Sequence, residues 1–360
     1  MKLAIVADPH FGIRDNSMNF FTYQEKFFKE ILVPECVKQE ITDIVFLGDF
    51  FHNRHSVNIR ILHHVKQLFK ELSNKFTLHG LTGNHDLFFK NDYTIDLPKN
   101  VLSEYVTFTK DNGVGIIGTN CLMVDWRNSK QEYLEKFNSL ISSSNNQWPK
   151  YLFGHFEFYN SLMSHSNRNE NADSLMSEEI KATFPNLLRI FSGHYHIPQP
   201  MYVGTPYQLT WGEYGIDLGF NILDTETDEV TFIRNPLQMF KSIDVDSFCG
   251  DLIIDEPGYK MNYRLKYTKA ENSVKADQYA GQIKEKGHSV VIANNILYST
   301  LQQKEISTDV NLSIESLMDK YFAEHLTVLK EEEDKAAFRE LFKQMFNDTR
   351  NSLDSAEGLL

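Results

Sequence analysis

The sequence has 360 residues, of which 41% are hydrophobic and 24% charged, which is typical of a globular protein with one large domain and a smaller one. Its formal net charge of −13 argues against a general nucleic-acid-coating protein, since such proteins are usually basic. No window approaches the roughly 18 apolar residues of a membrane helix. The three cysteines, Cys36, Cys121 and Cys249, are scattered and odd in number, so we expect a cytoplasmic protein without a disulfide framework.

Short apolar runs alternate with segments of helical periodicity through the first two hundred residues. This alternation is the signature of an α/β domain. The periodic segments predict helices over Phe20 to Gln39 and Val57 to Leu72. The apolar runs predict buried β-strands at residues 3–7, 43–48, 75–81, 151–154 and 187–193.

The pattern changes after residue 200. The stretch NILDTETDEVTFI predicts a β-hairpin, and we expect the large domain, residues 1–235, to end near Asn235 and Pro236. Strand-like runs at 261–268 and 289–293 flank a polar helical segment, which predicts a small α+β domain over 237–297. A polar linker over 298–310 and two amphipathic helices within 311–350 would complete the chain.

Polar side chains follow all five predicted strands of the large domain directly. In an α/β sheet, side chains just beyond the carboxyl ends of strands share one crevice. The two histidines of GHYH are two positions apart, so in an extended segment both rings point the same way. The polar residues that follow these strand ends are Asp8, His10, Asp49, Asn84, His85, Asp86, His155, His194 and His196.

This residue set has the chemistry of a two-metal site. Imidazole, carboxylate and amide ligands without cysteine suit manganese, iron or zinc better than copper(I) or an iron–sulfur cluster. Asp49 is the natural bridging ligand, because one carboxylate can bind both ions at the roughly 3.5–4 Å separation of two-metal hydrolases.

The motifs DxH, GD, GNHD, GH and GHxH occur in this order, and together they resemble the calcineurin-like metallophosphoesterase superfamily over residues 1–235. The resemblance implies a four-layer αββα sandwich. Within the superfamily the chain is similar to SbcD-type nuclease subunits of double-strand-break repair complexes, in the short form of T-even-like bacteriophages. GDFFHNRHS, with its His52, and YVGTPYQLTWGE carry this similarity, together with a capping domain and C-terminal helices.

The resemblance implies a role for each motif residue. One metal would bind Asp8, His10, Asp49 and His196; the other would bind Asp49, Asn84, His155 and His194. Manganese is the first expectation, with magnesium, iron or zinc as alternatives. His85 would stabilise or protonate the leaving oxygen during in-line attack. His52 would contact the scissile-strand phosphate or orient His85, unless it only packs its loop.

The family also implies partners. These are DNA, held in part by the capping domain, and an SbcC-type coiled-coil ATPase bound through residues 311–350. A dimer of the nuclease subunit would lie within a heterotetramer, in the host cytoplasm if the source is a bacteriophage. Two apolar stripes are the candidate docking surface, with packing on each other or on the capping domain as the alternative. The stripes are Ile314, Leu317, Met318, Tyr321 and Phe322, and Phe338, Leu341, Phe342, Met345 and Phe346.

The sequence thus predicts a two-metal DNA nuclease, an exonuclease on duplex ends and an endonuclease on single strands. A phosphatase or small-molecule phosphodiesterase of the same superfamily is the first alternative, and a non-catalytic scaffold with the same fold is the second.

Asp86 is expected to cap or orient its neighbours. Arginines that could contact phosphate are Arg14, Arg54 and Arg60, and histidines expected to be structural are His55, His63, His64 and His79.

Overall fold

A computed structural model describes residues 1–89, 92–110, 112–143, 149–164, 167–249, 252 and 254–294. The β-strands are β1 Lys2–Val6, β2 Asp43–Phe46, β3 Thr77–Gly80, β4 Leu87–Phe89, β5 Asp92–Asp96, β6 Val106–Phe108, β7 Val114–Ile117, β8 Cys121–Val124, β9 Tyr151–Gly154, β10 Arg189–Ser192, β11 Gly219–Asp224, β12 Glu229–Arg234, β13 Phe240–Asp244, β14 Asn262–Tyr267 and β15 Ser289–Asn294. The α-helices are α1 Ile13–Asn16, α2 Met18–Lys26, α3 Val33–Lys38, α4 Ile59–Ser73, α5 Leu97–Leu102, α6 Lys130–Ser143, α7 Ser177–Thr183 and α8 Ser273–Glu285.

All five predicted strands are confirmed as β1, β2, β3, β9 and β10. The predicted helix over Phe20 to Gln39 is interrupted by a π-helical segment, Phe27–Leu32, between α2 and α3. Pro34 lies in the first turn of α3. Because proline has no N–H to donate to the preceding turn, the regular hydrogen-bond ladder cannot continue there, and the helix widens.

The strands form two main sheets. The first has the order β12-β11-β1-β2-β3-β6, in which β1, β2, β3 and β6 are parallel and the hairpin β11–β12 is antiparallel. The second has the order β10-β9-β8-β7, with only β7 antiparallel to its neighbour. The predicted hairpin after residue 200 is therefore confirmed as β11–β12.

The two sheets pack face to face. Their shared core contains Leu3, Ile5, Val45 and Leu47 from the first sheet and Met123, Tyr151, Phe153 and Phe191 from the second. Helices cover both outer faces, because Tyr133 and Phe137 of α6 and Ile180 of α7 pack on the second sheet. On the other side, Phe28 of the π-helical segment and Phe69 of α4 both pack against Phe46 of β2. This is the predicted four-layer αββα sandwich.

A separate three-stranded parallel sheet, β13-β14-β15, follows the hairpin. We call β13–β15 with helix α8 the small sheet. It is joined to the sandwich by the Gln208 side-chain oxygen, which accepts hydrogen bonds from the backbone N–H groups of Met239 and Phe240 at 2.9 Å. Asn19 of α2 exchanges two further hydrogen bonds with the backbone of Lys260. The domain boundaries at 235, 297 and 310 stay predictions, and the predicted helices within 311–350 lie outside the described residues.

Candidate metal centre

The carboxyl ends of β1, β2, β3, β9 and β10 meet at one edge of the sandwich. The loops after the first three strands carry Asp8 and His10, Asp49, and Asn84 and His85, while those after β9 and β10 carry His155, His194 and His196. Contacts cross between the two sheets here. His155 Nδ1 donates to the carbonyl of Leu47 at 2.7 Å, and the backbone N–H of His194 donates to Asp8 Oδ1 at 2.9 Å.

The backbone is strained where it presents these side chains. Asp8, His10, Asp49 and His194 all have positive φ, at 50°, 47°, 51° and 94°. Such conformations cost on the order of 1–3 kcal/mol each in non-glycine residues, and they cluster at functional sites. Gly83 allows the loops to approach closely, because a Cβ at this position would overlap the Asp49 carboxylate.

The predicted ligands of the two metals are called the first and second ligand groups below. The first ligand group comprises Asp8, His10, Asp49 and His196. The Nε2 atoms of His10 and His196 lie 3.2 Å apart, and His10 Nε2 lies 3.6 Å from Asp49 Oδ2. Possible ligand atoms of Asp8, His10 and Asp49 all fall within 4.8 Å of one another. Hence Asp8, His10 and Asp49 face one common point, and His196 approaches it beside His10.

The second ligand group comprises Asp49, Asn84, His155 and His194. Asn84 Oδ1 lies 3.0 Å from His155 Nε2 and 3.1 Å from His194 Nδ1. Asp49 Oδ2 lies 3.5 Å from His155 Nε2, so Asp49 borders both groups. This is the position that a bridging carboxylate requires.

The charge states also suit cations. Burial opposes a proton on His155, but the nearby Asp49 and Asp8 carboxylates outweigh it and raise the pKa of His155 to about 9. Burial would raise the pKa of Asp49, yet His155 holds that pKa well below its usual range. Burial lowers the pKa of His194 to about 3 and that of His10 well below its usual value. The carboxylates attract positive charge, and His10 and His194 stay neutral, as metal ligands must be. His155 holds a proton that a metal would have to displace, and the Glu213 carboxylate raises the pKa of His196 against the effect of burial.

The spacing of the donor atoms fits bound divalent ions. Ligands at neighbouring vertices of an octahedron with bonds of about 2.1 Å lie roughly 3 Å apart, and three donor pairs here are 3.0–3.2 Å apart. Two imidazole nitrogens facing each other at such a distance share at most one proton, which a metal would replace. The residues present therefore fit two divalent cations.

His85 and His52 lie beside the first ligand group. His85 Nδ1 donates to the backbone carbonyl of His52 at 2.8 Å, and the His85 backbone N–H donates to Asp49 Oδ1 at 2.8 Å. The ring centroids of His10 and His85 are 5.0 Å apart, and the His52 ring stacks on that of His85 at 5.8 Å. Nitrogens of His10, His52 and His85 also lie within 4.8 Å of one another, so all nine predicted site residues come together.

Other residues singled out in the sequence lie where a structural role is expected. Asp86, as predicted, orients its loop by accepting hydrogen bonds from the backbone N–H groups of Phe51 and Gly83. His79 pairs with Asp43 at 2.8 Å, and the rings of His55 and His64 pack on Phe88 and Phe21. The guanidinium of Arg14 lies 5.8 Å from the ring of Phe240, and phosphate contacts by Arg14, Arg54 and Arg60 stay predictions.

Two further residues border the centre without having been predicted. Glu213 is 5% exposed, and its Oε1 accepts a hydrogen bond from His196 Nδ1 at 3.0 Å. Its sequence signals were the Thr210-x-x-Glu213 spacing of a capping box and its position at the end of the stretch YVGTPYQLTWGE. The indole of Trp126 lies 5.1 Å from the His194 ring and 5.9 Å from the His155 ring, and it lines an open cavity of about 480 Å³. No sequence signal marked Trp126.

Comparison with known proteins gives two results. Residues 1–198 match the calcineurin-like phosphoesterase family. The chain is also similar to exonuclease subunit 1 of Enterobacteria phage T4, at 23% identity over 337 residues, which cover 89% of this chain and 92% of that protein. Among the helices of the described residues, none has the length and apolar character needed to cross a membrane.

Proposed function

Because the chain belongs to the calcineurin-like phosphoesterase family, we propose that it is a two-metal-dependent DNA nuclease, the catalytic subunit of an ATP-regulated recombination and repair complex. The observation that carries the proposal is the pair of ligand groups sharing Asp49. A non-catalytic scaffold has no need to keep seven such side chains and four strained backbone positions together. Similarity to a phage exonuclease subunit over 89% of the chain supports a nucleic acid substrate.

The first ligand group would hold one divalent cation and the second ligand group the other, with Asp49 bridging them. When bound there, divalent cations would supply Lewis-acid chemistry for phosphodiester hydrolysis. The imidazole, carboxylate and amide donors suit manganese, with magnesium, iron or zinc as alternatives. The protein contributes the fixed positions of these donors, which the loops around β1, β2, β3, β9 and β10 provide.

His85 would act on the leaving oxygen. Its Nδ1–H is held by the carbonyl of His52, so Nε2 is the atom left to face substrate and, when protonated, to donate a proton. General-acid assistance of this kind contributes typically 10²–10⁴-fold in rate. His52 would be a positioning residue that orients His85 through its carbonyl and its stacked ring.

Trp126 would help to bind the DNA strand. An indole next to His194 can stack an unpaired base, and such stacking is tolerant of sequence. The cavity beside it falls in the size range of small-ligand pockets.

A chain of net charge −13 has little attraction for a duplex. We therefore assign opening of duplex ends to the complex, in which an SbcC-type ATPase would bind residues 311–350 and the nuclease subunit would form a dimer.

One assay tests the proposal. The purified chain is incubated with Mn²⁺ and offered single-stranded DNA, duplex DNA or a phosphomonoester, with EDTA and His85→Ala as controls. We expect Mn²⁺-dependent cleavage of single-stranded DNA. Hydrolysis of the phosphomonoester alone would indicate a phosphatase, and no hydrolysis of any substrate would indicate a scaffold.

A further inference from the structure

The turn from Thr210 to Tyr214 connects the metal centre with the small sheet. On one side, Glu213 Oε1 accepts from His196 Nδ1 at 3.0 Å. The other carboxylate oxygen, Oε2, accepts from both the backbone N–H and the hydroxyl of Thr210 at 2.7 Å. The carboxylate is thus locked within its own turn and has one oxygen left for the histidine.

On the other side, the same turn contacts the small sheet through Trp211 and Tyr214. The indole of Trp211 lies 4.9 Å from the ring of Phe240 in β13. The guanidinium of Arg264 in β14 stacks over that indole at 4.0 Å, a distance at which cation–π attraction is substantial. The Tyr214 hydroxyl donates to the carbonyl of Ser242 in β13 at 3.2 Å. A shift of the small sheet would therefore displace the residues on either side of Glu213.

His196 needs this support more than most of its fellow ligands. Its side chain is 30% exposed, whereas those of Asp8, His10, Asp49 and His155 are at most 2% exposed. Tight packing fixes the buried rings, but it cannot fix a ring that borders solvent. The hydrogen bond to Glu213 selects the Nδ1–H tautomer and leaves Nε2 directed at His10 Nε2. Such carboxylate–histidine pairs orient metal ligands and increase their basicity.

We propose that Glu213 is the positioning residue of His196, and that the small sheet, through the Thr210–Tyr214 turn, sets how tightly the first ligand group binds its metal. This inference rests on the two-metal centre of the proposed function. It goes beyond the family match, which ends at residue 198. A partner or DNA strand that displaces the small sheet would weaken or strengthen one metal site without touching a ligand.

The test is a titration of the full chain with Mn²⁺ in the absence of substrate. Binding is monitored through the electron paramagnetic resonance signal of free Mn²⁺. Wild type should bind two ions. Glu213→Ala should weaken one site by about 10–100-fold and leave the other unchanged, as expected for loss of a partner that orients a ligand. Glu213→Gln, which keeps an acceptor oxygen, should give a smaller loss and remains informative if the alanine variant does not fold.

A second pair of variants tests the connection to the small sheet. Trp211→Ala should weaken the same site several-fold although Trp211 contacts no ligand, and Trp211→Phe, which keeps a ring against Phe240, should restore most of the affinity. Lys241→Ala is the matched control, because it removes the ion pair between β13 and Asp255 without touching the turn or the hydrogen bonds that join the small sheet to the sandwich; this variant should bind Mn²⁺ with wild-type affinity.

The outcomes separate the two levels of the proposal. Wild-type protein that binds no Mn²⁺ would contradict the proposed function itself. Two normal sites in Glu213→Ala would overturn the positioning role. Normal affinity in Trp211→Ala, or an equal loss in Lys241→Ala, would overturn transmission through the turn. Thermal unfolding of each metal-free variant shows whether an affinity change reflects general destabilisation.

Discussion

The two halves of the metal centre are supported in different ways. The second ligand group is held by the sandwich alone: His155 is fully buried and donates to Leu47 of the opposite sheet, and His194 lies against Trp126. The first ligand group includes His196, which borders solvent and donates a hydrogen bond to Glu213. Glu213 lies in a turn that the small sheet contacts. If both groups bind metal, the sandwich alone would support one site, whereas the other would also depend on the small sheet.

Asp49 belongs to both halves, so its removal is expected to have the largest effect. Asp49→Ala should abolish cleavage and empty both sites, because it deletes the proposed shared ligand, which lies 3.6 Å from His10 Nε2 and 3.5 Å from His155 Nε2. Anomalous scattering from crystals grown with Mn²⁺ would measure both occupancies, with Asn84→Ala as a control expected to affect only the second ligand group. Two fully occupied sites in Asp49→Ala would contradict the bridging role.

His85→Ala should leave both halves intact and still slow the reaction. We expect a loss of about 10²–10⁴-fold in kcat, because the variant lacks the acid that assists the leaving oxygen. Mn²⁺ stoichiometry and DNA affinity should be unchanged. His55→Ala, which removes an exposed histidine that packs on Phe88, is the matched control and should cleave at the wild-type rate. Loss of metal from His85→Ala would place His85 among the ligands instead.

The sequence was sufficient to select the nine proposed site residues that the fold brings together, but not the residues that support them. Each ligand follows a short apolar run, and a buried strand is readable from such a run, as with LAIVA before Asp8. That two different sheets contribute strand ends to one edge could not be deduced from these runs; it was implied only by the family resemblance. The strands β7 and β8 were not predicted, and with them the loop that carries Trp126 was missed.

Glu213 was missed for a different reason. It contacts His196 across 17 positions of sequence, in a turn with no helical or strand periodicity to connect the two. The motif residues can be recognised from their types and order, whereas a supporting residue is defined by a tertiary contact alone. The extent to which one ligand group depends on the small sheet was therefore visible only in the folded chain.

The second ligand group should also respond to pH. The folded-state pKa of His155, about 9, is above its ordinary value of 6.5, so a bound Mn²⁺ must displace a proton below pH 9. We expect affinity at this site to fall by up to about tenfold per pH unit from pH 9 to 6.5. In the metal-free protein the sign is opposite: the stability from this proton is fully present below pH 6.5 and is lost as the pH rises through 9.

Mn²⁺ titrations at several pH values, together with proton release measured in weakly buffered solution, check this prediction. About one proton should be released per ion bound at this site at neutral pH. Thermal unfolding of the metal-free protein over the same range should show declining stability as the pH rises. A flat affinity profile without proton release would mean that His155 is already neutral in the folded protein.

The smallest effect on either half is expected from removal of the C-terminal segment. All proposed ligands, Glu213 and the small sheet lie before residue 295, so a chain ending at Thr308 should bind two Mn²⁺ ions and cleave single-stranded DNA like wild type. It should lose the ATPase partner and with it duplex degradation. Each buried apolar side chain contributes about 1.5–3 kcal/mol, so a few from either stripe exceed the roughly 8 kcal/mol of a micromolar complex.

Pull-down with an SbcC-type ATPase measures whether the truncated chain still binds its partner. Nuclease assays with and without ATP measure whether it still degrades duplex DNA. Leu341→Asp in the full chain is the matched point variant, since it places a charge in one stripe without shortening the protein. Undiminished partner binding by the truncated chain would mean that the stripes serve the protein's own packing. The docking surface would then have to lie on the small sheet, and the partner would act directly on the element that contacts Trp211 and Tyr214 in the turn of Glu213.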